Sequence, residues 1–421
     1  MKNLKYDAVI IGGGAAGMAA ALELNAIGFS CAIIEREDHL GGILMQCIHN
    51  GFGLHEFSQE LTGPEYAERF IGQTVKSKIA VFLNTTVTQI IPSAVIDSAD
   101  KELICISPAG ILRVQCRALI LAMGCRERNR GNVRIPGSRP AGIFTAGLAQ
   151  RLVNIEGLIP GKEAVIIGSG DIGLIMARRL SWTGCRVKAV VEIMPYPAGL
   201  TRNIVQCLND FNIPLYLSCQ TTAIFGNDRV EGIEVTPMEN GTLISEKRFR
   251  IDCDTVLLSV GLVPENELSK AAGVQLYENT GGPLVDSMLM TNLDGVFACG
   301  NVLHVHDLVD WVSEEGRSAG KHASAWLKNN IPVMQFRTKA GANIRYVNPG
   351  RAAPDRNNKI YLRSMIISND AYLEIRLDKQ NVKKIKKGHV QPSEMISVNL
   401  GQKDFSGLQF NKDSVLEFDL I

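Results

Sequence analysis

The chain has 421 residues, 44 Lys and Arg against 43 Asp and Glu, and 46% hydrophobic residues. At about 100–200 residues per domain this is two or three domains with length enough for real cores. A charged fraction of 21% and 40 glycines exclude a disordered, collagenous or coiled-coil chain. The near-neutral net charge offers no basic face, so nucleic acid is not an expected partner. The longest uncharged apolar stretch near the start, Ala8 to Leu22, falls short of the roughly 18 residues a membrane span needs, and no integral span is expected. That stretch carries four glycines and no convincing cleavage site, so a signal peptide is the poorer reading. The ten cysteines form no CxxC pair and no zinc spacing, and scattered thiols suit a reducing, cytoplasmic location.

In chain order, the first strong signal lies in residues 6–37. The β-branched run Ala8 to Ile11 enters Gly12-x-Gly14-x-x-Gly17, an alanine-rich helical pattern follows, Gly28 stops it, and the apolar run Cys31 to Ile34 ends in Glu35. This is a βαβ unit with an acidic residue 18 positions after the last glycine. Gly12 allows the tight turn, Gly14 lets a pyrophosphate approach backbone N–H groups, and Gly17 lets the helix pack on the strand. The helix N-terminus offers partial positive charge to phosphates, and Glu35 can accept hydrogen bonds from ribose hydroxyls. A lone glycine motif is weak, since a glycine-rich turn gives the same letters; the strand, helix, second strand and glutamate make it specific. A second unit nearly repeats the first, 156 residues later. Glu163 to Ile167 leads into Gly168-Ser-Gly170-Asp171-Ile172-Gly173, a helical stretch to Thr183, Gly184, and a strand Val187 to Val191 ending in Glu192. Two such units imply two dinucleotide sites.

At this point the chain resembles the two-dinucleotide-domain flavoproteins of the pyridine nucleotide-disulfide oxidoreductase superfamily. Four further segments fall in that family's order: Thr85-Thr86-Val87, Leu119 to Gly124 (LILAMG), Leu257 to Pro264 (LLSVGLVP) and Thr291 to Asn301 (TNLDGVFACGN). The last departs from the family's Gly-Asp ending, because Asn301 stands where aspartate is usual; asparagine can still bond flavin hydroxyls. The resemblance implies an α/β fold of two Rossmann-like dinucleotide-binding domains, one inserted in the other. An FAD domain would span 1–155 and 265–330, an NAD domain 156–264, and a small β-rich domain 331–421. It implies FAD contacts from Gly12, Gly14, Ala15, Ala16, Gly17, Glu35, Arg36, Gly42, Val87, Ala122, Gly124, Gly300 and Asn301. It implies NAD contacts from Gly168, Gly170, Asp171, Ile172, Gly173, Glu192 and Gly261. Interleaving would let both sites share one cleft, as hydride transfer requires.

Disulfide reductases of this superfamily carry a cysteine pair, whereas the stretch Gly41 to Gly51 has Cys47 alone, so a dithiol relay within the chain is not expected. GGILxQCIHNGFG and GCRERxRGxxxIPGxRPAGIFTAG (Gly124 to Gly147) look like the flavoprotein subunits encoded beside glycerol-3-phosphate dehydrogenase-like enzymes. They are also similar to alpha subunits of dye-linked proline dehydrogenases and of opine and cyanide-forming amine oxidases. The resemblance then implies an FAD-dependent oxidoreductase that relays electrons between NAD(H) and a partner dehydrogenase subunit, and it leaves oligomerisation open. The alternative is a stand-alone NADH oxidase or reductase of oxygen, a quinone or a small disulfide, with Cys47 forming a sulfenic acid. A non-enzymatic dinucleotide-binding sensor is the third reading.

Individual residues carry two readings each. Glu35 and Glu192 are either exposed strand-end carboxylates or ribose acceptors. As an acceptor, Glu192 would repel a 2′-phosphate, and residues 193–196 supply no arginine, which favours NAD over NADP. Cys47 and His49 are candidate catalytic or flavin-tuning groups; the bland reading is a small hydrophobe and a structural histidine. His304-x-His306-Asp307 has metal-ligand letters, but two histidines two apart in a loop seldom close a site alone. No metal is expected, and a loop bordering the flavin, receiving a proton or touching a partner, is the preferred reading. The resemblance puts the following helix, Asp310 to Gly320, with its N-terminus at the flavin pyrimidine edge, where positive partial charge stabilises reduced flavin. Arg126, Glu127, Arg128, Arg130 and Arg134 are a solvated face or an anchor. From Ile331 the pattern turns to short β-like runs, 359–367, 371–377, 382–386 and 395–400, with a lysine run at 383–387 suited to a sheet edge.

Overall fold

The computed structural model describes residues 2–92, 100–332 and 334–421 and divides into two compact units. No helix among the described residues is long and apolar enough to cross a membrane.

The first unit holds Met1–Met45, Asn50–Cys125 and Pro264–Ile421. Its main sheet has seven strands. Ala80–Phe82, Cys31–Ile34, Lys2–Ile11 and Gly110–Leu121 lie side by side in parallel, and Val296–Ala298 adds a further parallel partner to Gly110–Leu121. Lys101–Ser107 and Thr86–Ile91 extend the sheet antiparallel. The central strands are near-continuous apolar runs because both of their faces are buried, Cys31–Ile34 along its whole length. The helix Ala15–Ile27 packs on the helix Val309–Leu327 through small residues. A Cβ on Gly316 would sit 2.3 Å from the Ala16 carbonyl oxygen, and one on Gly320 would sit 2.5 Å from that of Ala20. The two backbones therefore touch, and that crossing sets Glu315 close to the first glycine loop.

Residues 331–421 form the β-rich end of the same unit with their own apolar core. A five-stranded sheet faces a three-stranded one. Asn358–Ser364, Ala371–Leu377, Gln380–Lys387 and Met395–Leu400 fall where the sequence pattern puts strands. Phe336–Ala340 and Val415–Leu420 are additional, and they pair in parallel across most of the segment. The lysine run lies on the edge strand Gln380–Lys387, where charge discourages pairing with other chains.

The second unit comprises Gln46–His49 and Arg126–Val263. It takes in residues 126–155, which the family resemblance assigns to the first domain. The reason is pairing: Ile143–Thr145 adds to the strand Thr255–Leu258 as an edge of the second parallel sheet. That sheet continues through Glu163–Ile167, Arg186–Val191 and Leu215–Tyr216. An antiparallel sheet of Cys219–Phe225, Gly232–Glu239, Thr242–Leu243 and Phe249–Asp252 completes the unit.

Candidate functional site

Each unit carries one glycine loop, and both are built by the same device. In the first, the register Ile11↔Ile34 lets the Gly12 N–H donate to the Ile34 carbonyl at 2.9 Å, so the loop opens beside Glu35. Gly12 has φ +106°, and a Cβ there would lie 2.4 Å from the Ala122 carbonyl oxygen, so only glycine fits. A Cβ on Gly17 would come 1.9 Å from the Gly12 oxygen. Gly14, by contrast, faces open space. It ends the loop as the N-cap of Ala15–Ile27, with no side-chain cap and no acidic residue in the first turn. Uncapped N–H groups, no competing carboxylate and room at Gly14 fit a dinucleotide pyrophosphate.

Glu35 is buried, and its carboxylate accepts the Gly13 N–H at 2.6 Å and the Glu37 N–H at 2.9 Å. Two backbone donors fix its orientation, while a carboxylate has about four lone-pair sites, so acceptor capacity remains for ribose hydroxyls. Of the other predicted contacts, Gly42, Gly300 and Ala122 lie against this loop and the strand and helix that flank it. Gly42 approaches Gly14, its Cβ position 3.3 Å from the Gly14 Cα, and Gly300 would place a Cβ 2.8 Å from that of Ala16. Ala122 donates its N–H to Ile11, and Thr85, two residues before Val87, donates to the Glu35 carbonyl. Gly124 accepts from the Glu265 N–H at 3.0 Å. Arg36 does not converge, since its side chain is 66% exposed and lies near Glu37.

In the second unit the Gly168 N–H donates to the Val191 carbonyl at 2.8 Å, and Gly168 has φ +90°. Buried Glu192 accepts the Ser169 N–H at 2.9 Å, the Ser169 hydroxyl at 2.6 Å and the Met194 N–H at 2.9 Å. Gly170 caps the helix Asp171–Trp182, and the Gly173 N–H donates to Ser259 Oγ at 3.1 Å. Asp171 Oδ1 accepts from the Leu200 N–H and the Asn203 side chain, which draws residues 198–203 across the loop. Ile172 packs on the neighbouring core, and Gly261 accepts the Arg128 N–H.

Residues 6–323 match the pyridine nucleotide-disulphide oxidoreductase family. The chain belongs to that family. It is similar to an opine oxidase subunit of Agrobacterium tumefaciens (strain Ach5), 26% identical over 326 residues that cover 70% of this chain and 61% of the relative. The chain therefore spans about three fifths of that relative's length. Its fold is that of T. acidophilum thioredoxin reductase, with TM-score 0.63, 24% identity, 76% of this chain and 98% of the other. L-proline dehydrogenase from P. horikoshii shares it at TM-score 0.55 and 18% identity, over 78% of this chain and 56% of the other.

Within this oxidoreductase family member, Cys47 and His49 belong to the second unit, with Arg126–Val263. Cys47 is buried, its thiol donates to Gln150 Oε1 at 3.7 Å, and burial pushes it up to about 12. A thiol so placed supplies little thiolate near neutral pH, which disfavours nucleophilic or sulfenic acid chemistry. His49 is half-buried.

Glu315, which no sequence motif singles out, is the centre of a buried polar cluster. Its carboxylate accepts the Gly300 N–H at 2.6 Å, His304 Nε2 lies 2.9 Å from one oxygen and His306 Nε2 lies 3.1 Å from the other. These three side chains place donor atoms within 4.8 Å of one another and carry the letters of a His-His-carboxylate metal site. Burial would raise the Glu315 carboxyl, but the two histidines outweigh it and hold it below the usual carboxylate range. Burial takes His304 down to about 4, against the pull of Glu315. Asn301 Oδ1 accepts the His306 N–H at 3.0 Å, which ties the side chain to the histidine loop and leaves its oxygen one further lone pair. The β-rich end covers this loop: Arg363 bonds Asp307 and the Val305 carbonyl, and the Tyr346 and Tyr361 rings lie against His304. One signal of Glu315 was available, since it stands beside the Gly316, Ala319, Gly320 and Ala323 stripe that buries against the first helix.

Proposed function

We propose that this chain is an FAD-containing oxidoreductase subunit that exchanges hydride between NAD(H) and FAD and relays electrons to or from a partner dehydrogenase. The observation that carries the reading is the pair of glycine loops, each with a buried carboxylate oriented by backbone donors toward the place a ribose would take. FAD, when bound, supplies the two-electron chemistry. In the first unit Gly12, Gly14 and Gly17 admit the pyrophosphate to the uncapped helix start, and Glu35 receives the ribose. In the second, Gly168, Gly170, Gly173 and Glu192 do the same for the nicotinamide dinucleotide. Glu192 is acidic and buried, which supports NAD over NADP. The absence of a CxxC or paired cysteine from the sequence points electrons out of the chain rather than into an internal dithiol. The likeness to a protein named as one subunit of an oxidase supports a partner, and the partner's substrate in this reading is small and polar, of the glycerol 3-phosphate type that the resemblance of Gly41 to Gly53 and Gly124 to Gly147 implies. The burial of Cys47 supports this reading over a stand-alone oxidase that works through that thiol.

Anaerobic purification, a visible spectrum and titration with NADH and then NADPH test this. Flavin bands that bleach with NADH, and poorly with NADPH, are expected. A protein without flavin that cannot be reconstituted with FAD would sink the proposal.

A further inference from the structure

The second glycine loop has no cation of its own. A dinucleotide diphosphate is anionic, and the helix start that would receive it already holds the Asp171 carboxylate in its first turn. Residues 163–177, 189–201 and 255–264, which supply the strand ends and loops around that helix start, contain no Lys or Arg. The sheet also limits how a dinucleotide can lie. Thr255–Leu258 and Arg186–Val191 flank Glu163–Ile167 on opposite sides, with Leu258, Ile167 and Val191 level with one another. With a ribose at Glu192 and the diphosphate at Gly170, the nicotinamide half continues away from Glu192, toward Ser259–Val260–Gly261. That segment lies against the loop: the Gly173 N–H donates to Ser259 Oγ, and a Cβ on Gly168 would sit 2.2 Å from the Ser259 carbonyl oxygen.

Arg128 stands at the far end of this segment. Its backbone N–H donates to the Gly261 carbonyl at 3.0 Å, and its Cδ lies 4.0 Å from where a Gly261 Cβ would be, so its stem runs beside Gly261. No other atom comes within 4 Å of that Cβ position, and Gly261 and Arg128 are both exposed, so the surface there is open to a ligand. The Arg128 side chain has no hydrogen bond or ion pair among the described residues. Its neighbours in the arginine run are engaged: Arg130 donates to the Ile135, Pro136 and Gly137 carbonyls, and Glu127 accepts the Gly147 N–H.

We infer that Arg128 is the cation for the diphosphate of the bound nicotinamide dinucleotide, on its nicotinamide side, while the helix start at Gly170 serves the adenosine side. The inference rests on the NAD reading of the second unit and adds a binding residue to it. A guanidinium suits the task because its planar fork meets two phosphate oxygens at once. It also supplies the positive charge that offsets Asp171.

FAD-loaded full-length protein titrated with NADH and, separately, with AMP tests this, because AMP carries the adenosine half and lacks the second phosphate. In Arg128→Gln, NADH is expected to bind about tenfold more weakly, while AMP binds as it does to the wild type. Arg128→Lys should fall between, since it keeps the charge and loses the fork. Flavin content and melting temperature should stay at wild-type values in both. In the wild type itself, NADH should protect Arg128 from phenylglyoxal, read by peptide mass spectrometry, and AMP should not. NADH affinity at the wild-type level in Arg128→Gln would overturn the inference. An equal loss for AMP would do so too, because the guanidinium would then serve the adenosine half. So would modification of Arg128 that saturating NADH leaves unchanged, a result that needs no variant to fold. Wild-type holoprotein that binds no nicotinamide dinucleotide fails the function reading itself, whereas wild type that binds NADH with an indifferent Arg128→Gln fails this inference alone.

Discussion

The two glycine loops share a plan and differ in what lies over the helix start. In the first, the returning segment docks by backbone, with the Gly41 N–H on the Gly13 carbonyl and Gly42 against Gly14, and the first helical turn carries no acid. In the second it docks by side chains: Ser169 Oγ accepts the Ala198 N–H, and Asp171, in the first turn, accepts Leu200 and Asn203. A carboxylate in the first turn interacts favourably with the helix dipole, so an incoming phosphate there meets a site partly satisfied already. The same fold unit is thus open to an anion in one copy and partly self-satisfied in the other. That difference suits a resident nucleotide in the first unit and an exchanging one in the second.

The glycines give the largest test of this contrast. Gly17→Ala places a methyl 1.9 Å from the Gly12 carbonyl, where only backbone could move. It should cost about 3 kcal/mol or more and leave protein without FAD. Gly173→Ala meets Ser259 side-chain atoms at 2.6 and 2.8 Å and the Gly168 oxygen at 3.1 Å. A smaller loss of about 1–2 kcal/mol is expected there, with FAD retained and NADH bound more weakly. Flavin content and melting temperature of the two variants decide it, and the reverse order would break the comparison.

Acid should separate the units next. His304 has a folded value near 4 against an ordinary 6.5, so below pH 6.5 the unfolded chain takes a proton that the folded one refuses. Stability is complete above 6.5 and falls as pH drops toward 4, by on the order of 3 kcal/mol. Glu315, held below its usual range, adds a loss in the same direction under about pH 4.5. Both groups are in the first unit, while the second holds one histidine, His49. Peptide-resolved hydrogen exchange between pH 7 and 5 should show the first unit opening earlier; equal protection in both units at pH 5 would refute the assignment.

How much of the molecule is legible in its sequence follows the range of the interactions. The glycine loops, their strands and the two glutamates are local patterns, and each falls where the spacing puts it. The histidine pair is visible, whereas Glu315 shows only as the neighbour of a small-residue stripe, because its place depends on a helix crossing set by Gly316 and Ala16, about 300 residues apart in the chain. The family resemblance assigns residues 126–155 to the first domain, whereas the pairing of Ile143–Thr145 with Thr255–Leu258 draws them into the second unit. Phe336–Ala340 and Val415–Leu420 escape because parallel pairing of the two ends of a segment leaves no hairpin signal between them.

Glu192 and Asp171 sharpen the comparison at smaller scale. Glu192→Gln keeps an acceptor for Ser169 but removes the charge, so NADH should bind about tenfold more weakly and the preference over NADPH should narrow. If NADPH discrimination is unmoved, specificity lies elsewhere, and Arg202 at the start of the helix Thr201–Cys207 is the first guanidinium after Glu192 in the sequence to consider.

Asp171→Asn is the subtlest change. The asparagine oxygen can still accept from Leu200, so residues 198–203 stay in place, while the negative charge in the first turn is gone. An incoming pyrophosphate then meets the helix dipole without a competing carboxylate, worth about 0.3–1 kcal/mol. NADH should bind roughly two- to fivefold tighter, with FAD content unchanged. Isothermal titration with NADH reads this directly. Weaker binding would mean that the carboxylate holds the covering segment more than it opposes the phosphate, and the two loops would then differ in rigidity rather than in charge.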